Sequence, residues 1–122
     1  MGEHIKSLRD FLDRLRALGH VTDVHAEVDW ILEMGAIARR SMDLRAPAPL
    51  FHRVRGVAPG FRALGAPGGL GRGEHPFARV NLALGLDADA HPMAIVRALA
   101  DARRREPIPP RRAHVTGLLH KP

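Results

Sequence analysis

The glycines between Phe61 and Gly73 come nearest to a recognised chemistry in this sequence. Backbone N–H groups freed by glycine can cradle a phosphate, above all in front of a helix. Neither standard spacing is met. For G-x-x-x-x-G-K-[ST], Gly68 and Gly73 fit, but Glu74 and His75 stand where lysine and Ser/Thr are required. For G-x-G-x-x-G, Gly69 and Gly71 need a third glycine where the chain has Glu74. The loop therefore reads as a turn joining a strand to a helix.

The other reactive side chains are scattered. His20, His25, His52, His75, His91, His114 and His120 show no metal-ligand spacing and read as surface or turn residues. Asp87 and Asp89 share one loop, whereas general acid/base work needs two carboxyls in different environments. Ser7 reads as a helix cap and Ser41 lies inside a helical pattern, so neither is placed as a nucleophile. Arg103, Arg104, Arg105, Arg111 and Arg112 form a basic patch. Stacking platforms for bases need aromatic residues, and the chain has one Trp, four Phe and no Tyr. Nucleic-acid binding is therefore disfavoured.

The elements that would position such residues are legible from periodicity. Leu8, Phe11, Leu12, Leu15 and Leu18 make one apolar stripe, which predicts a helix over 7–18 with Ser7 as N-cap and Gly19 at its end. Val24, Ala26 and Val28 alternate with polar residues and predict a strand over 21–28. Asp29 is the expected cap of a helix from Trp30 to about Leu44, carrying Ile31, Met34, Ile37, Ala38 and Met42, weakened by Gly35 and ended by Pro47 and Pro49. Strands follow over 50–54 and 61–64. A third helix is expected from Pro76 to about Leu86 with Phe77, Val80, Ala83 and Leu84 inward. A fourth starts between Asp89 and Pro92, with Asp89 available as cap and Val96, Leu99 and Ala100 as its stripe. Pro107, Pro109 and Pro110 then impose an extended tail.

Interleaved helices and strands place the chain in the α/β class, α+β being the variant. The expectation is a small sheet of about three strands flanked by about four helices. The domain is set at 7–106, with an extended proline-rich tail or linker at 107–122. A chain of 122 residues fits one modest core. Hydrophobic residues at 45% and charged ones at 26% suit a soluble globular protein. No apolar run approaches the ~18 residues of a membrane span. With no cysteine, disulfides and thiol chemistry are excluded, and a cytoplasmic location is expected. The net charge of +6 suggests an anionic partner. Nearly all basic residues are arginine, however, beside abundant Ala, Gly and Pro, and this pattern is better read as that of a GC-rich coding sequence.

Several stretches, in order, carry a family resemblance. They are Leu8-Arg9-Asp10-Phe11-Leu12, Glu27-Val28-Asp29, Glu33-Met34-Gly35-Ala36-Ile37-Ala38-Arg39-Arg40 and Ala46-Pro47-Ala48-Pro49-Leu50-Phe51-His52. Leu64-Gly65-Ala66-Pro67-Gly68-Gly69-Leu70, His75-Pro76-Phe77-Ala78-Arg79 and Pro107-Ile108-Pro109-Pro110 complete the set. Over residues 7–113 the sequence resembles the N-terminal region of the UbiD family of decarboxylases. The alanine–proline loop and the proline run are most similar to the branch holding ferulic acid and pyrrole carboxylate decarboxylases. The resemblance implies carboxy-lyase chemistry on unsaturated or heteroaromatic acids in a full-length protein. That protein is expected to carry prenylated FMN, a divalent metal and potassium, and to be usually homo-oligomeric.

The family's cofactor and catalytic motifs lie beyond the equivalent of residue 113, so none is transferred and no catalytic, cofactor or metal residue is assigned here. The leading expectation is a non-catalytic N-terminal domain, present as a piece or a split subunit. It would dock on a flavin-binding catalytic domain or subunit through Phe77, Pro107, Ile108, Pro109, Pro110 and Arg111. A small companion subunit binding a separate catalytic chain is the second reading. A basic nucleic-acid-binding module is the third.

Overall fold

In a computed structural model, the structure describes residues 4–109. Helix α1 spans Leu8–Ala17. The Ser7 hydroxyl accepts the Asp10 N–H at 3.2 Å, so the expected cap forms and satisfies one orphan donor of the first turn. Phe11, Leu12 and Leu15 are buried, each worth roughly 1.5–3 kcal/mol of transfer free energy before ordering costs. Leu8 and Leu18, expected in the same stripe, are exposed at the two ends of the helix. Gly19, at φ +70°, closes α1: its N–H reaches Arg16 O and the His20 N–H reaches Leu15 O, the paired bonds of a Schellman cap.

Strand β1 (Val21–Val28) is followed by helix α2 (Glu33–Asp43) and strand β2 (Ala48–Val54). The two strands are parallel, which requires a crossover such as α2. Val24 stands opposite Phe51 and Glu27 opposite Arg53, so His25 and Ala26 together oppose the single His52. This bulge corrects the expected alternation. Because one extra residue reverses facing, Val24 shares a face with Phe51 whereas Val28 shares the opposite face with Val54. Val28 is buried there, and Ala26 is exposed.

Helix α2 begins three residues later than the sequence predicts. Asp29 Oδ1 accepts the Ile31 N–H at 2.7 Å and Glu33 Oε2 accepts the Asp29 N–H at 2.6 Å. Asp29 thus shapes a turn in front of the helix, and Leu32 takes the N-cap place at φ +67°. Trp30, Ile31 and Leu32 are consequently exposed. Gly35 has open space around it, so no packing contact requires a glycine there.

Strand β3 is only Ala63–Leu64, antiparallel to β2, and Phe61, expected within it, is exposed. The sheet order is β1-β2-β3, mixed in direction. Helix α3 is Ala78–Ala83 and helix α4 is Pro92–Arg104. α2 packs on β2, while α1 packs on α3 and β1. Phe11, Leu15 and Leu82 form the core cluster, joined by Val21, Leu64 and Ala88. Among the described residues this is an α/β fold of four helices and a three-stranded sheet, as expected.

The last two helices depart from expectation in which face they bury. In α3 the fully enclosed side chains are Ala78, Arg79 and Asn81, with Leu82 nearly so, whereas Ala83 and Leu84 are exposed. In α4 the cap is His91, whose Nδ1 accepts the Met93 N–H at 3.2 Å, and Asp89 does not serve. No residue of α4 is buried: Met93, Val96 and Leu99 stand 48%, 55% and 54% exposed.

Candidate functional site

Arg79 is the last residue of the His75-Pro76-Phe77-Ala78-Arg79 run. α3 carries its guanidinium to a point where three loops meet, and the residue is wholly enclosed. Its Nη1 donates to Ala66 O at 3.2 Å, and its Nη2 donates to Ala46 O. Its Nε has no partner among the described residues. One side chain thereby ties the alanine–proline loop before β2 and the glycine loop after β3 to α3. Burial pulls the pKa of Arg79 below its ordinary value, although a guanidinium keeps its charge at neutral pH.

Two glycines make room for this arrangement. A Cβ on Gly69 would lie 2.9 Å from Arg79 Nη1, and one on Gly71 would lie 2.3 Å from His20 Cε1. The loop therefore approaches side chains of its own chain, in keeping with a strand-to-helix turn. His20, read from sequence as a surface or turn residue, is buried against Gly71. Its pKa is lowered, first by desolvation and then by the charge of Arg79 and the proximity of His75. The Gly71 N–H donates to Pro76 O at 2.8 Å and closes the loop onto the start of α3. Asn81 holds the far side, donating to Ala88 O at 3.1 Å and Ala90 O at 2.9 Å.

A second polar group lies across the sheet. Asp23 Oδ1 accepts from Arg16 Nη2 and sits within bonding distance of His52 Nε2, each at 2.6 Å. The ring of His25 stacks on that of His52 with centroids 4.5 Å apart. His52 and Arg16 together hold the Asp23 carboxyl below the usual range. Sequence spacing missed this group because β1–β2 pairing, rather than chain proximity, assembles it.

Four of the docking residues expected from the sequence are among the described residues, and they lie at the two ends of α4. Phe77 is half-buried and shares a cleft with His91 and Pro92 at the start of α4. Pro107, Ile108 and Pro109 follow the other end of that 13-residue helix, ~20 Å away at 1.5 Å per residue, and are exposed. Pro110 and Arg111 lie outside the described residues.

The donor set does not suit the flavin and metal chemistry that the resemblance implies. Among the described residues no group of three or more His, Asp or Glu side chains is placed to hold a metal ion. The glycine loop closes on His20 and Arg79, so these residues do not fit a flavin phosphate, and no flavin step is assigned to them.

The fold and this site define a small α/β module organised by a buried arginine. Residues 12–99 match the profile of the 3-octaprenyl-4-hydroxybenzoate carboxy-lyase N-terminal domain, UbiD_N. The chain belongs to this family. It is 50% identical over 114 residues to pyrrole-2-carboxylic acid decarboxylase of Pseudomonas aeruginosa, covering 92% of this chain and 23% of that protein. It is 35% identical over 106 residues to ferulic acid decarboxylase 1 of Saccharomyces cerevisiae, covering 84% and 21%. The fold matches that of vanillic acid decarboxylase of Sedimentibacter hydroxybenzoicus in its open form, with a TM-score of 0.68 at 24% identity, over 89% of this chain and 22% of that one. The chain thus spans less than a quarter of the length of these relatives. They favour neither the companion-subunit nor the nucleic-acid reading.

Proposed function

We propose that this chain serves as the non-catalytic N-terminal domain of a UbiD-type carboxy-lyase acting on unsaturated or heteroaromatic carboxylic acids. The observation that carries the reading is the extent of the match: family membership over residues 12–99, within less than a quarter of each relative. The domain is taken as 7–106 and the proline-rich stretch 107–122 as the connection outward. Prenylated FMN, a divalent metal and potassium belong to the catalytic portion in this reading, and the assembled enzyme is a cytoplasmic homo-oligomer. No helix of the described residues is long and apolar enough to cross a membrane.

The domain's part is to dock. Met93, Val96 and Leu99 present an apolar stripe on α4 that no element of this chain covers among the described residues, and Ile108 beyond it is 87% exposed. Apolar stripes of this kind mark contact surfaces. The reading is tested by mixing the chain with a pyrrole-2-carboxylic acid decarboxylase polypeptide lacking its N-terminal region and following association by sedimentation. Association is expected, and Leu99→Glu is expected to weaken it at least tenfold without lowering the melting temperature of the chain. Absence of association, or equal association of the variant, contradicts the docking role of α4.

A further inference from the structure

Among the described residues, positive charge collects in the cleft between the C-terminal ends of α1 and α2 without a counter-charge. The cleft has a volume of about 190 Å3 and is bordered by Gly19, His20, Arg45, Pro47, Arg72 and Arg79, among others. No carboxylate of the described residues lines it. Among the described residues, the ion pairs of Arg14, Arg16, Arg39, Arg55 and Arg104 all use carboxylates elsewhere, and none involves Arg45, Arg72 or Arg79. The helix ends offset part of this charge, about half an elementary charge for each C-terminus. Against three guanidinium groups, roughly two positive charges remain.

Side-chain bonds hold Arg79 and Arg72, whereas for Arg45 it is the backbone that is fixed. Arg79 is the enclosed base of the cleft, fixed by the Ala46 and Ala66 carbonyls, with Nε unpartnered among the described residues. Arg72 Nε donates to Leu44 O at 2.7 Å, which leaves the other end of its guanidinium free at the rim. Arg45 occupies the C′ position of α2: its N–H reaches Met42 O and the Ala46 N–H reaches Ser41 O. It does so at φ +50°, a left-handed conformation that glycine takes without strain. At the same position of α1 the chain has Gly19. An arginine thus stands where backbone geometry favours glycine, at the border of a cleft that holds two other arginines.

We propose that this cleft binds one small oxyanion, a single carboxylate or phosphate group, gripped by Arg45 and Arg72 from the rim and drawn by the charge of Arg79 beneath. Its volume lies below the ~300–1,000 Å3 of sites for drug-sized ligands, which suits a group of a few atoms. Forked guanidinium donors match the paired oxygens of either group. The site does not rest on the carboxy-lyase reading.

The test is thermal unfolding of the 122-residue chain in phosphate or acetate at about 50 mM against chloride of equal ionic strength. The wild type is expected to melt at least about 3 °C higher in either anion, as ligand linkage predicts for millimolar binding. Arg45→Gly keeps the left-handed turn and so folds; it is expected to lose at least half of that shift. Excluded-salt stabilisation by phosphate acts equally on both proteins, so the difference between them is the readout. Acetyl-Gly-Glu-Gly-amide, whose only carboxylate is a side chain, separates the sources of the anion. A shift equal to that of acetate points to a carboxylate carried by a docked polypeptide, and a shift with acetate and phosphate alone points to a free anion. Equal shifts in wild type and Arg45→Gly, or none in either, overturn the proposal.

Discussion

Arg79 is the residue on which the architecture turns. An enclosed guanidinium with no carboxylate partner among the described residues is costly unless its donors are used, and two of them hold carbonyls from separate loops. Arg79→Ala leaves the Ala46 and Ala66 carbonyls unpaired beside a cavity. It is expected to destabilise by about 3 kcal/mol or more in urea unfolding. Arg79→Met, which removes the desolvated charge and fills much of the volume, is expected to cost less. His20 supplies a pH dependence. Its folded pKa lies below the unfolded value of about 6.5, so the unfolded state binds its proton first as pH falls. The contribution of His20 is complete above that value and is lost as pH drops through about 6.5 toward the folded pKa. Urea midpoints are expected to fall between pH 7.5 and 5.5, and less so in His20→Gln. Neither role was legible in the sequence. Arg79 stood there as part of a motif and His20 as a surface residue, because the carbonyls and the glycine that enclose them are brought up by loops distant in the chain.

At the scale of elements, local chemistry was read well where one helix carries its own signals. The stripe of α1 over Phe11, Leu12 and Leu15, its Ser7 cap and its Gly19 terminus all stand as expected. The start of α2 was misplaced because Asp29 competes for nearby backbone donors in a turn before the helix. The inward face of α3 was misassigned because burial was equated with apolarity, whereas Arg79 and Asn81 are buried by satisfying loop carbonyls. In β1, a bulge beside His52 turned Val28 to the other face, and strict alternation cannot foresee an inserted residue. The period of α4 was correct, but its stripe has no partner among the described residues. Gly35 offers a direct check at this scale. It lies in α2 without positive φ, and a methyl group placed on it would meet nothing within 4 Å. Gly35→Ala is therefore expected to stabilise by about 0.5–1 kcal/mol, seen as a rise of a few degrees in melting temperature.

For the molecule as a whole, the ordered short motifs proved more informative than the net charge of +6. The surplus of arginine is put to several structural uses: buried Arg79, Arg72 on the Leu44 carbonyl, and Arg16 on Asp23. The fold class and the family were legible because ordered short motifs mark the junctions between elements. As proposed above, this chain supplies a docking module and leaves decarboxylation to another part of the enzyme. The measurement that tests it most directly is carbon dioxide release from pyrrole-2-carboxylate or ferulate by the purified chain supplied with prenylated FMN, Mn2+ and K+. Release no faster than from cofactor and metals alone is expected; turnover above that blank, abolished by heating the chain, would contradict the claim.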